Sequence, residues 1–241
     1  VFGWHFVYSY SKWNTGNDES SVSNQILNIQ GIDGLIIDAE AQYEGQGKGT
    51  IASQYLQNIR RNHPSSFIAY SSFARVTGHE WFPWLEFGNY SDVNMPQAYW
   101  AVRLLTPNQE INAMQNDFNN WAITWQNSGH GSSIKPIIPT GQGGYMADLG
   151  GNNVKNGDIA TFSSTLKNNN YQGVSLYAYR IMSQNAWTEY GASWGQTQSG
   201  FASVSQGVNI TPSTVTFGNN FQGNFTLKEI EENGRVKRKT Y

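Results

Sequence analysis

The stretch Gly34-Leu35-Ile36-Ile37-Asp38-Ala39-Glu40 decides how this chain is read. It opens as a continuous apolar run, which suits a strand of a parallel sheet covered on both faces. It closes on two carboxylates two residues apart, and the period of a strand puts Asp38 and Glu40 on the same side. Desolvating acids at the end of a buried strand is costly unless the site is wet, paired or chemically useful. Two readings follow. The pair is the seat of the chemistry, or it caps neighbouring loops or holds a structural ion.

The flanks of this strand set the architecture. Residues 2–9 are aromatic and β-branched and read as a strand, and residues 18–30 carry Val22, Ile26 and Ile29 at helical spacing. After the acidic pair, a Gly-rich loop leads to Thr50 as N-cap of a helix carrying Ile51, Tyr55, Leu56 and Ile59, stopped at His63-Pro64. Phe67 to Phe73 is the next strand, 79–88 a loop with a short helix, and Val93 to Trp100 another strand, in which Pro96 demands an edge or bulge-like position. Thr106-Pro107-Asn108-Gln109 opens a helix to about Trp125, with Thr as N-cap, Pro at N1 and Gln at N3. Lys135 to Thr140 reads as a strand, Asp158 as the cap of a helix bearing Ile159, Phe162 and Leu166, Gly173 to Tyr179 as the last clear strand, and 183–190 as a last short helix.

About six alternating βα units imply a parallel sheet with outer helices. Six are too few for a closed (β/α)8 barrel. The chain opens directly inside a strand pattern at Val1, so the expectation is an α/β, TIM-like barrel lacking its first one or two βα units, the chain being a piece of something longer. An open doubly wound sheet is the competing architecture, and no Gly-rich phosphate fingerprint follows any strand to support its nucleotide-binding form. Residues 1–196 read as the barrel. Residues 197–241 read as a β-rich tail or the start of a further module, with Asn233-Gly234 as a two-residue hairpin turn. The basic end of that tail reads as a solvated hairpin face, or as a surface for an acidic polymer or for self-assembly.

Composition narrows the class. Of 241 residues, 13% are charged against a usual quarter, so amides, hydroxyls and glycine supply the polar surface. A net charge of −2 gives no electrostatic footprint for nucleic acid. No apolar run approaches the roughly 20 residues of a membrane span. Without cysteine there is neither disulfide nor thiolate metal site, and the four histidines lack metal-ligand spacing, so no cofactor or metal is expected. Aromatic residues make up 14%, with nine Trp, and in a low-charge, amide-rich chain this leans toward an extracellular, carbohydrate-facing protein.

In a parallel barrel the chemistry sits at the C-terminal ends of the strands. Besides Asp38 and Glu40, those ends carry Tyr8, Ser9, Ser71, Ser72, Gln97, Tyr99, Trp100, Thr140, Tyr177 and Tyr179. This rim of carboxylate, amide, hydroxyl and aromatic groups is what a sugar site needs: carboxylates to protonate a glycosidic oxygen and stabilise the anomeric cation, aromatic faces for pyranose rings. His5, inside an aromatic strand, reads as structural. Trp81 and Trp84 either line a glycan cleft or pack a short helix, and Trp121 and Trp125 read as core.

Asp33 to Glu40 resembles the DGxDxDxE signature of glycoside hydrolase family 18, the chitinases, departing at Ile36, where that family has its first inner Asp. It also resembles the D-x-E strand of family 25, the N-acetylmuramidase lysozymes, in which an upstream strand looks like residues 3–9. Asn94 to Trp100 looks like the chitinase sixth-strand M-x-Y pattern with altered spacing, three residues separating Met95 from Tyr99. The overall look is of bacterial and phage glycoside hydrolase-like barrels in which DAE, FPW and MPQ-YW segments recur. The resemblance covers roughly residues 1–190. It implies Glu40 as general acid with a raised pKa and Asp38 as its partner at the N-acetyl group or oxocarbenium-like centre. It also implies that Gln97 and Tyr99 bind the sugar or its acetamido group, and Tyr8, Trp100, Tyr177 and Tyr179 of the strand-end rim complete the expected sugar-binding set. Family 25 also uses an Asp ending its first strand, which this chain does not include. The expected function is hydrolysis of an N-acetylated polysaccharide, peptidoglycan or chitin-like, outside the cell, at a cell surface or on a virion. The alternative is a glycan-binding or structural surface, virion or filament protein that kept the barrel without turnover.

Overall fold

Alternation along each strand decides which side meets the helices. In β2 (Gly34–Ala39), Leu35, Ile37 and Ala39 are fully buried, while Ile36 and Asp38 face the other way. The computed structural model describes residues 1–9, 18–130 and 134–194, and the strands at 226–230 and 236–240. Its main sheet has six parallel strands: β1 (Phe2–Val7), β2, β3 (Phe67–Phe73), β4 (Val93–Ala98), β5 (Thr140–Gln142) and β6 (Ser175–Tyr177). Their spatial order is their chain order. A doubly wound sheet reverses its order at a switch point. This one never does, and it curls into an open part-barrel wrapped by helices.

The helices are α1 (Asp18–Leu27), α2 (Lys48–Asn62), α3 (Trp84–Tyr90), α4 (Pro107–Asn127), α5 (Asp158–Asn168) and α6 (Gln184–Trp194). The main core lies between them and the sheet, and joins Leu35, Ile37 and Ile68 to Leu56, Ile59, Phe87, Met114, Phe118 and Phe162. α1 closes on β1 at Gly3, where an added Cβ would stand 2.1 Å from Ile26. A smaller apolar cluster fills the concave face: Ala69, Val93 and Met95, with Ile36, Phe67 and Ile138 against them. Ile36 is thus part of an apolar floor beneath the acids.

Several boundaries differ from the sequence reading. α2 starts at Lys48, with Gly47 as N-cap in the left-handed region at φ 81°, so Thr50 lies inside its first turn. Likewise Gly157, not Asp158, caps α5. Asp158 instead accepts from the Lys155 N–H at 2.9 Å and from the Trp100 indole at 3.1 Å. β5 forms over residues 140–142 rather than 135–140, because Pro136 and Pro139 strip N–H groups from the ladder, leaving one bridge between Asn94 and Ile137. Pro96 sits in an interior strand, where the ladder to β5 lapses between that bridge and the Gln97–Thr140 pair. The capping box of α4 is present as read, with the Thr106 hydroxyl accepting from the Gln109 N–H and the Gln109 side chain returning to the Thr106 N–H. Thr106→Ala is expected to cost about 1 kcal/mol, visible as a lower urea midpoint with an unchanged slope.

In the tail, β7 (Thr226–Ile230) and β8 (Val236–Thr240) form an antiparallel ribbon pairing Thr226 with Thr240 and Ile230 with Val236. The Asn233-Gly234 turn, residues 197–225 and the boundary read near 196 fall outside the described residues.

Candidate active site

Asp38 is the last inward-facing residue of β2, flanked in register by Phe6 of β1 and Ser71 of β3. Glu40 follows one pleat later. There the chain turns into a single 3-10 turn at Ala41–Tyr43, which leaves Glu40 half-buried on the rim. Gln97, at the end of β4, reaches across: its amide donates to Asp38 Oδ1 at 3.0 Å and Glu40 Oε1 at 2.8 Å, with Ser71 Oγ at 3.5 Å. One side chain therefore orients both carboxyl groups.

Asp38 is 7% exposed above the apolar floor of Ile36, Ala69 and Met95. Burial, first, and then the charge and hydrogen bond of Glu40 push its carboxyl up to about 8, against lowering hydrogen bonds from Gln97 and the Trp4 indole. The acid raised by burial is the deeper one, Asp38. Burial thus favours the protonated form of Asp38, whose carboxyl lies within hydrogen-bonding reach of Glu40. Gln97→Leu removes a lowering hydrogen bond, so Asp38 is expected to titrate higher still, readable from its carboxyl carbon by NMR as pH is varied.

Tyr99, just past β4, is buried, and its hydroxyl is raised by that burial and by the Asp38 and Glu40 charges, which places it beside the pair. The Tyr177 ring lies 6.1 Å from it. Tyr8, 42% exposed, continues the inward face of β1 and stands edge-on to Phe6 at 5.0 Å. Asp38, Glu40, Gln97, Tyr99 and Tyr177 are thus gathered at one mouth, with Tyr8 on the same face. Trp100 is not gathered there. It is fully buried against Phe162 at 4.9 Å with its indole on Asp158, because the chain after β4 turns it into the helix layer. Tyr179 falls in a 3-10 turn beyond β6, and its side chain lies outside the described residues. Ser72 points away from the mouth and is buried.

Trp4 was missed. It bonds Asp38, and the signal was available: Phe2, Trp4, Phe6 and Tyr8 share the inward period of β1, with Phe6 beside Asp38. His5 faces the other way and bonds Ser23 at 2.8 Å, which in turn bonds Tyr55 at 2.7 Å. Burial lowers its pKa to about 4, as befits a neutral structural histidine. The two tryptophans after β3 divide: Trp84 is core, and Trp81 is 71% exposed. Among the described residues no three His, Asp or Glu side chains converge as metal ligands, and no helix is long and apolar enough to cross a membrane.

No family model matches the chain, and no curated protein does. Among solved structures it is similar to a chitinase from Chromobacterium violaceum, with a TM-score of 0.51 at 14% identity over 75% of this chain and 72% of that one. Weaker likenesses are to bee venom hyaluronidase (TM-score 0.39, 12% identity, 54% and 43% of the two chains) and to the glycoside hydrolase domain of PgaB from Bordetella bronchiseptica (0.41, 10%, 74% and 59%). The chain spans less than half of the hyaluronidase. The likeness to the chitinase is one of fold.

Proposed function

We propose that this protein hydrolyses an N-acetylated polysaccharide of the peptidoglycan or chitin type at Asp38 and Glu40. The observation that carries the reading is a carboxyl pair at a strand end, its inner member buried, bridged by one amide and flanked by tyrosines. Glu40, the outer acid, is the group that reaches a glycosidic oxygen. Asp38 stores the proton and relays it through their hydrogen bond, so the pair delivers acid at a pH where a solvated carboxylate is fully ionised. Tyr99 and Tyr177 offer hydroxyls and ring faces to the sugar, and Gln97 holds both acids in register while the proton moves. An extracellular or cell-surface setting goes with such a substrate.

The test is incubation with purified peptidoglycan and with chitin oligomers, followed by mass spectrometry of soluble products. New reducing ends on one of them are expected, and none on cellulose oligomers. A second reading, a glycan-binding module without turnover, is favoured by Ile36, which lies in the apolar floor where the chitinase signature has an acid. Saturable binding with no product at high protein concentration would select it.

A further inference from the structure

The loops after β5 and β6, together with α5 and α6, line a cavity of about 330 Å³ that includes neither member of the carboxylate pair. Its walls are tightly built. The Gly143 N–H donates to the Tyr177 carbonyl at 2.6 Å, and Gly144 bridges to Met182. An added Cβ at Gly144 would stand 2.0 Å from the Ile181 carbonyl oxygen, so the two loops can close here only on glycine. Buried Gln142 ties the same wall to the loop after β4, donating to the Gly144 carbonyl at 2.8 Å and accepting from the Val102 N–H at 3.1 Å. The cavity is therefore a formed feature.

Its chemistry is mixed. Ile159, Ile181 and Ala186 make an apolar floor, and Asn153, Asn156, Ser183 and the half-exposed Tyr145 ring make a polar lip. The Glu189 carboxylate in its wall is already satisfied, accepting from the N–H groups of Gly157 at 2.7 Å and Ala160 at 3.2 Å at the start of α5. Lys155 is exposed at the lip. A ligand here meets amide and hydroxyl partners, a ring face and a small greasy floor. That set matches an acetamido sugar, with the methyl down and the amide and hydroxyls at the lip. β5 and β6 stand three and four strands from β2 in the sheet order, and the cavity's lining includes none of Asp38, Glu40 and Gln97, so linked sugars rather than one ring would serve both places.

We propose that this cavity is a second glycan subsite, taking an N-acetylated sugar several residues along the chain from the bond held at Glu40. The inference rests on the glycosidase reading above and extends it from a bond to a polymer. The test is calorimetric binding of the N-acetylglucosamine hexamer and dimer to the whole protein and to two variants, Tyr145→Ala, which removes the ring face, and Asn153→Trp, which fills the lip. The native protein is expected to bind the hexamer about tenfold tighter than the dimer, and both variants to bring that ratio to within about threefold. Dimer affinity and the thermal midpoint should not move. A hexamer preference retained by both variants overturns the subsite while leaving the carboxylate site intact, as does a native protein that binds dimer and hexamer alike. Equal affinity for a glucose hexamer overturns the N-acetyl assignment. If neither N-acetylated oligomer binds, the chitin form of the glycosidase reading fails and the subsite with it.

Discussion

Glu40→Gln is expected to lower kcat/KM on an N-acetylated polymer by about 10²–10⁴-fold, the range that loss of a positioned general acid produces. The fold should survive. Glutamine is isosteric with glutamate, and its carbonyl can still accept from the Gln97 amide that now reaches Glu40 at 2.8 Å. The same substitution carries a second readout. Glu40 supplies both a charge and a hydrogen bond that raise Asp38. The neutral amide removes the charge, so the Asp38 titration should move down toward the carboxylate range while burial still holds it above. Lost activity with a lowered Asp38 titration assigns the acid to this pair. Wild-type turnover in Glu40→Gln would place the chemistry elsewhere. An unchanged Asp38 titration would mean that burial alone sets its proton affinity.

Much of this site was legible because β-strands encode their geometry in a two-residue period. The GLIIDAE run fixes which residues turn outward to the helices, and the structure follows it at Leu35, Ile37 and Ala39. The capping box at Thr106 reads cleanly because its parts are local. Where the reading slipped, a non-local or backbone cause intervened. Gly47 and Gly157 took the cap positions assigned to Thr50 and Asp158, as left-handed glycines can without a side-chain bond. Asp158 accepts instead from Trp100, which the chain after β4 turns into the helix layer and away from the mouth. The period of β1 put Trp4 on the inward face with Tyr8, but which inward residue meets Asp38 depends on the β1–β2 register, which sequence spacing alone does not give. The architecture itself turned on strand order: alternating βα units fit a barrel or a doubly wound sheet equally, and the sequential order of six strands separates them.

Asp38→Asn is expected to be more stable than the native protein above about pH 8 by roughly 2–5 kcal/mol, and close to it in stability near pH 4. An Asp raised to about 8 when folded releases its proton near 4 when unfolded. Between those values the folded state binds more protons than the unfolded one, so native stability falls as pH rises through the window. Asparagine keeps the shape of the protonated acid and cannot ionise, so the variant lacks this slope. Two other buried groups shape the native curve. Glu19 is raised mainly by burial and adds to the decline. His5, lowered to about 4 by burial, acts oppositely, because an unfolded His takes up a proton below about 6.5, so stability rises with pH there. Both are present in the variant, so the difference between the two urea curves isolates Asp38. It should grow from pH 4 to pH 8 and then level off. A difference flat in pH would mean that Asp38 is ionised in the folded protein across the window, and the proton store assigned to the pair would be gone. The variant should also lose turnover, since the neutral amide fits the site but has no proton to relay to Glu40. A gain in stability coupled to loss of activity is the signature of a buried acid kept for its chemistry.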